Sequence, residues 1–428
     1  MITFLILTCL IVILLTGLPI FAGLGLTSLI IMLLTEGNVN SAADTVFAKL
    51  NNGLLTAIPM FAFMAHVMIR AGVVKDLYDA ANAMVGHLRG GLGVATILSC
   101  TIFAAISGSS VATALTIGST AIPQMKRFNY KPSYSYGVIA AGGTLGILIP
   151  PSGPLILYAI VTEASIGALF LAGLIPGIMM ATIFALWAMI SAGFSGTVIA
   201  QPFAGMGIIW ARIKQSIWAL LMPPVVLGGI YLGIFTATEA AAIGCLYALI
   251  ISVLVYRNFG LPDLWDTAFE TVRTTAMLFM ILAAAALFGH AVTIIRLPIE
   301  IVEQVTAIGL SPGMFVVTVM VLILVLGMFL ETISIILITT PIVFPVMVVL
   351  GIDPIWYGIL LMINLELALI TPPVGMNLFV IKGIAKAPLS EVIRGSLPYS
   401  ALMLLGLIVF FVYPPFSTWL PKIAGFGG

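Results

Sequence analysis

The 428-residue sequence predicts an all-α polytopic membrane protein of two inverted repeats, each with about five transmembrane helices and one re-entrant hairpin. Three observations carry that prediction. Hydrophobic residues make up 62% of the chain and charged residues 7%, against roughly 25% charged in soluble domains. Two apolar stretches are broken by adjacent prolines, Pro150-Pro151 and Pro372-Pro373. Finally, Pro123 and Pro345, Pro150 and Pro372, Pro151 and Pro373, Gly153 and Gly375, Gly173 and Gly395, and Pro176 and Pro398 all recur at a spacing of 222 residues.

That shift pairs 1–16 with 217–235, 18–34 with 236–256, 53–70 with 273–292, 93–122 with 315–344, 134–160 with 356–381, and 167–190 with 396–413. The first repeat is therefore 1–192 and the second 217–428, joined by a connecting helix over 193–216 whose Arg212 and Lys214 among apolar neighbours suit the membrane interface. The start, Met1 to Ile6, has no basic leader and reads as a retained first span. Proline removes a backbone donor and clashes with the preceding turn, so 134–160 and 356–381 are expected to be broken helices. Hydrocarbon cannot satisfy the freed groups, so such breaks must be buried or line a polar cavity, and paired breaks point to a carrier's binding site.

Lysine and arginine accumulate in cytoplasmic loops. If 93–122 is a hairpin that enters and leaves on one side, Arg70, Lys75, Arg89, Lys126, Arg127 and Lys131 share the cytoplasm. Continuing the trace adds Arg212, Lys214, Arg257, Arg273, Lys382, Lys386 and Arg394, leaving Lys49, Arg296 and Lys422 outside. Five crossings per repeat is odd, so the second repeat must enter from the opposite face, with its hairpin 315–344 opening outward. Both termini then lie on the exterior side.

A net charge of +1 gives no basic face for nucleic acid. Cys9, Cys100 and Cys245 are scattered in apolar runs and read as small buried hydrophobes. No GxxxxGK[ST] string and no HExxH occurs, so neither ATP nor a familiar intramembrane metallohydrolase constellation is indicated.

The first hairpin tip reads Ser107-Gly108-Ser109-Ser110: a glycine for the turn, and hydroxyls that with freed carbonyls can replace the water shell of a hard cation. The second tip, Gly327 to Thr332, places Glu331 opposite Ser109 and Thr332 opposite Ser110. A carboxylate inside a membrane segment is functional by default. For Glu331 three roles stay open: bracing the tip, contacting cation or substrate, and carrying a proton. Glu239 and Glu366 are further proton candidates, although Glu239 in Thr236-Ala237-Thr238-Glu239 suits a helix cap. His66, His87 and His290 do not pair at ligand spacing and suit hydrogen bonds across helices. Arg296 is either an interface anchor or a contact for an entering carboxylate.

Gly108-Ser109-Ser110-Val111-Ala112-Thr113, Gly146-Ile147-Leu148-Ile149-Pro150-Pro151-Ser152, Gly229-Ile230-Tyr231-x-Gly233-x-Phe235-Thr236-x-Thr238-Glu239-Ala240 and Thr371-Pro372-Pro373-Val374-Gly375-x-Asn377 together span most of the chain. They resemble the large membrane subunit of tripartite ATP-independent periplasmic (TRAP) transporters. The resemblance implies a Na⁺-driven importer of organic acids in the bacterial inner membrane, working with a small four-helix membrane subunit and a periplasmic substrate-binding protein. It also implies an elevator mechanism, in which a transport domain of hairpins and broken helices slides against a scaffold. On that basis Ser107, Ser109, Gly146, Ile149 and Pro151 would form one Na⁺ site, and Gly327, Thr332, Thr371 and Met376 a second. Ser110, Ser152, Asn377, Arg296 and Glu331 are the substrate candidates. Sialic acid is the first substrate expected and dicarboxylates the second. A stand-alone Na⁺- or H⁺-coupled carboxylate carrier would share the architecture and need no binding protein.

Overall fold

The computed structural model describes residues 17–193 and 201–426. The span expected over 1–16, with Cys9, lies outside these residues. Among the described residues the chain is helical throughout, and eight segments are long and apolar enough to cross a membrane.

In chain order the first half contains α1 (Ile20–Glu36), α2 (Asn40–Leu50), α3 (Ala57–Arg70), α4 (Val73–Val85), α5 (Gly91–Ser107), α6 (Ser110–Arg127), α7 (Pro132–Gly143), the single turn α8 (Leu145–Leu148), α9 (Gly153–Thr162) and α10 (Ile166–Gly193). Then follow α11 (Met206–Tyr231), α12 (Ala237–Ile250), α13 (Leu261–Ile294), α14 (Leu297–Ile308), α15 (Pro312–Gly327), α16 (Thr332–Val349), α17 (Pro354–Leu369), α18 (Met376–Ala385), α19 (Leu389–Val412) and α20 (Pro415–Ile423). Cys100 and Cys245 are buried free thiols, as the apolar setting implied.

Local chemistry sets several boundaries. Pro312 and Pro354 open α15 and α17 where no N–H is needed, behind Ser311 and Asp353, whose side chains accept from the first-turn amides. Thr236 and Glu239 form a reciprocal capping box at the start of α12, the role the sequence suggested for Glu239. One expected boundary is corrected. No helix break falls between 216 and 217: residues 206–216 continue without interruption into the 26-residue α11, where no glycine or proline stands between Ile208 and Met222.

Helix bounds recur at the 222-residue shift: α6 and α16 correspond at both ends, and α7 and α17 begin at corresponding prolines. Contacts recur too. The packing of α1 on α13 is mirrored by α12 on α3, that of α7 on α19 by α17 on α10, and that of α9 on α16 by α18 on α6. Each member of these pairs exchanges its half, so the two halves interlock.

Two groups of helices result. One holds α1, α3, α12 and α13, with His66 of α3 hydrogen-bonded to Thr271 of α13 at 2.9 Å and Arg70 paired with Asp266 at 3.1 Å. The other is built from α5 to α10 and α15 to α20 around fully buried Phe103, Tyr158, Phe170, Phe184 and Tyr357. Outward faces carry apolar side chains, such as Leu34 at 79% and Leu254 at 64% exposure, a surface suited to lipid rather than water.

Candidate functional site

Pro150 and Pro151 carry no N–H, so the carbonyls of Gly146 and Ile147 have no donor four residues on. The chain leaves the helix there, with Ile149 and Ser152 in extended conformation, and re-enters it at α9 under a Ser152 cap. The Pro150-Pro151 and Pro372-Pro373 peptides are both cis. Helices α5 and α6 are joined at Gly108, whose φ of 58° excludes most side chains, and they pack side by side as a hairpin. At about 25 Å, the 17-residue α5 falls short of the roughly 30 Å hydrocarbon core.

Tip and break touch directly. A Cβ on Gly146 would lie 2.5 Å from the Ser109 carbonyl and 2.6 Å from Ser110 N, so only glycine permits this approach. In the second half the Gly375 amide donates to Met328 O at 3.3 Å, joining that break to its own hairpin tip. Ser109 caps α6 by accepting from Ala112 N, and Glu331 caps α16 by accepting from Ile333 N at 3.2 Å and Ser334 N at 3.4 Å.

Both tips open on one cavity of about 310 Å³. Of the residues singled out in the sequence, Ser107, Ser109, Ser110, Pro151, Glu331, Thr332 and Met376 line it. The facing wall comes from the other helix group, with Phe61, Ala65 and His66 of α3 and Thr274 and Met277 of α13. Sequence reasoning singled out only His66 of that wall, as a hydrogen bond across helices, because the other residues are ordinary helix-face types with no motif.

The remaining candidates sit apart from the cavity surface. Gly146, Ile149 and Ser152 are buried at the first break, and Gly327 and Thr371 lie at the second tip and break. Asn377 is fully buried and both polar atoms of its amide lack a partner. Arg296 does not line the cavity; it is exposed at the corner between α13 and α14, about 25 Å along the helix from Met277.

Glu366 of α17 is completely buried, and its Oε1 accepts from the Ser110 hydroxyl and from Ile147 N. The Ser110 proton is thus committed to Glu366 rather than offered to a ligand. The Ser107 hydroxyl pairs with that of Thr113 at 2.9 Å. Helix N-termini carry partial positive charge. At α16 the Glu331 carboxylate meets that charge, whereas at α6 only the neutral Ser109 cap does, which leaves the first tip the better end for an anion. The cavity thus offers hydroxyl oxygens from both tips, backbone carbonyls at the breaks and one anion-favouring helix terminus. Among the described residues no three His, Cys, Asp or Glu side chains gather at metal spacing, so the oxygens the cavity offers are mainly hydroxyl and peptide oxygens, with the single Glu331 carboxylate.

Comparisons with known proteins show the family to which the chain belongs. The C4-dicarboxylate TRAP transporter large permease protein DctM of Pseudomonas aeruginosa is 42% identical over 404 residues, covering 94% of each chain. The sialic acid TRAP transporter large permease protein SiaM of Vibrio cholerae is 33% identical over 413 residues, covering 96% of each. The fold resembles that of the Alcanivorax borkumensis YdaH transporter, with a TM-score of 0.64 over 89% of each chain at 13% identity. Residues 7–416 match the model of the DctM component of tripartite ATP-independent periplasmic transporters, and the chain belongs to that family of large TRAP permeases.

Proposed function

We propose that this chain imports a small organic acid across the bacterial inner membrane, coupled to Na⁺, as the large permease of a TRAP transporter. One observation carries the proposal: two hairpin tips from different halves, each against its own proline break, open on a single cavity walled on the far side by a separate helix group. The recurring helix bounds and exchanged contacts support two repeats of opposite orientation, and the two helix groups support an elevator in which tips and breaks move against α1, α3, α12 and α13. The first cation site would be formed by Ser107, Ser109, Gly146, Ile149 and Pro151, and the second by Gly327, Thr332, Thr371 and Met376. Substrate would lie between the tips near Ser110 and Asn377.

A C4-dicarboxylate is the preferred substrate, because the relative at 42% identity is named for it. Sialic acid is the second, favoured by the relative at 33%. The partners are a small membrane subunit and a periplasmic substrate-binding protein. Each charge moved across 100 mV is worth about 2.3 kcal/mol, so two Na⁺ with a monoanion are electrogenic and two with a dianion are not. Voltage dependence therefore reports stoichiometry once the substrate is known.

Reconstitution in proteoliposomes tests the proposal. With cognate subunits and binding protein present, an inward Na⁺ gradient should drive uptake of succinate or sialic acid. Uptake undiminished when the Na⁺ gradient is replaced by K⁺ would contradict the coupling, and uptake without binding protein would make the chain a stand-alone carrier.

A further inference from the structure

Glu366 is the one fully buried acidic side chain among the described residues, and it takes part in none of their ion pairs. Removing a carboxylate from water without a cationic partner costs several kcal/mol, so its position calls for an explanation. Its Oε1 lies between two donors of the opposite half: the Ser110 hydroxyl on the first hairpin tip and Ile147 N, at 3.2 Å, on the turn before the first break. Oε2 has no partner. Ser110 directly follows Ser109 and Ile147 directly follows Gly146, and Ser109 and Gly146 are themselves in backbone contact. A single oxygen thus pins both sides of the seam where the first cation site is proposed.

We infer that Glu366 is a positioning residue for that site, a latch from the second half that holds tip and break of the first half in register. The inference rests on the Na⁺-coupled reading above. The latch is one-sided. At the position 222 residues earlier stands Thr144, whose hydroxyl donates to Ala141 O of its own helix at 2.6 Å, so the first half returns no equivalent contact to the second tip. That tip is joined to its break by a backbone hydrogen bond instead, from Gly375 to Met328. The first site is accordingly the one whose geometry depends on a side chain from the other repeat, and loading it reports on how the two halves are docked.

The role assigned to Glu366 is to accept two hydrogen bonds, and charge is not required for it. Glutamine keeps an acceptor oxygen between Ser110 and Ile147 and places its NH₂ where Oε2 already lacks a partner. The test is Na⁺-dependent thermal stabilisation of the purified full-length chain, titrated with NaCl against choline chloride. E366A and S110A should raise the half-saturating NaCl concentration at least tenfold, while E366Q stays within about threefold of the unsubstituted chain. Should E366A fail to fold, S110A and S110V carry the same comparison from the other side of the bond. A response to Na⁺ unchanged in E366A and S110A, yet weakened in S109A, overturns the latch and leaves the Na⁺ reading intact. E366Q failing as E366A does overturns it in favour of a role for the charge. No Na⁺-specific stabilisation of the unsubstituted chain removes the coupling-ion reading and the latch together.

Discussion

Replacing Gly146 with alanine tests the contact between tip and break at its tightest point. The new Cβ would stand 2.5 Å from the carbonyl carbon and oxygen of Ser109 and 2.6 Å from Ser110 N, all backbone atoms that cannot rotate away. Ordinary contact begins near 3.4 Å, so tip and break must separate by about 0.9 Å. Two consequences follow. Overpacking of this kind costs about 1–3 kcal/mol of stability. The displacement also moves Ser107 and Ser109 away from the carbonyls at the break, and site geometry displaced by about 1 Å loses function steeply. We expect the Na⁺ concentration for half-maximal uptake to rise at least tenfold, about 1.4 kcal/mol. Gly228→Ala, inside α11 where a Cβ meets nothing within 4 Å, is the control and should leave the Na⁺ response unchanged with no loss of stability. The assay is uptake in proteoliposomes over a NaCl series at constant ionic strength, with melting in detergent as the stability readout. An unchanged Na⁺ response in Gly146→Ala, with the loss of stability present, would refute the assignment of this seam to the cation.

Two further substitutions separate stability from transport. Thr236→Ala removes the hydroxyl that accepts from Glu239 N at the start of α12, and should lower stability by about 1 kcal/mol with little effect on the substrate KM, checked by melting and by uptake. Asn377→Ala removes the fully buried amide with no partner, and should raise the substrate KM while leaving half-saturating Na⁺ within about twofold; the reverse pattern would place Asn377 with the cation.

How far the fold could be read from sequence depended on which residues carry a local signal. The proline breaks, the tip glycine and the Thr236 cap announce themselves, because proline and positive-φ glycine act through their own backbone and a cap acts across three residues. The four helices α2, α4, α14 and α20 escaped notice. Their polar positions, such as Lys75, Asp76 and Asp79 in α4, pull them below the hydropathy that marks a span, and the buried face of α4 shows only once it lies against α5 and α11.

The site was legible in part for the same reason. Ser107, Ser109 and Thr332 stood out through their tip sequences, and the cavity joins them. The opposing wall of Phe61, His66 and Thr274, and the hold of Glu366 on Ser110 across 256 residues, arise from packing between distant helices and leave no spacing to read. Arg296 drew attention as a cation on the exterior side, but the length of α13 carries it away from the cavity.

Labelling the flanks of both hairpins bears most directly on the claim that two oppositely oriented repeats meet at one cavity. Single cysteines replacing exposed Arg89 and Arg127, at the ends of the first hairpin, and Ser311 and Val349, at the ends of the second, would be probed with a membrane-impermeant maleimide. In right-side-out vesicles the first pair should both be protected and the second pair both labelled, with the pattern inverted in inside-out vesicles. Labelling of Arg89→Cys and Arg127→Cys from different faces, or of all four from one face, would contradict it.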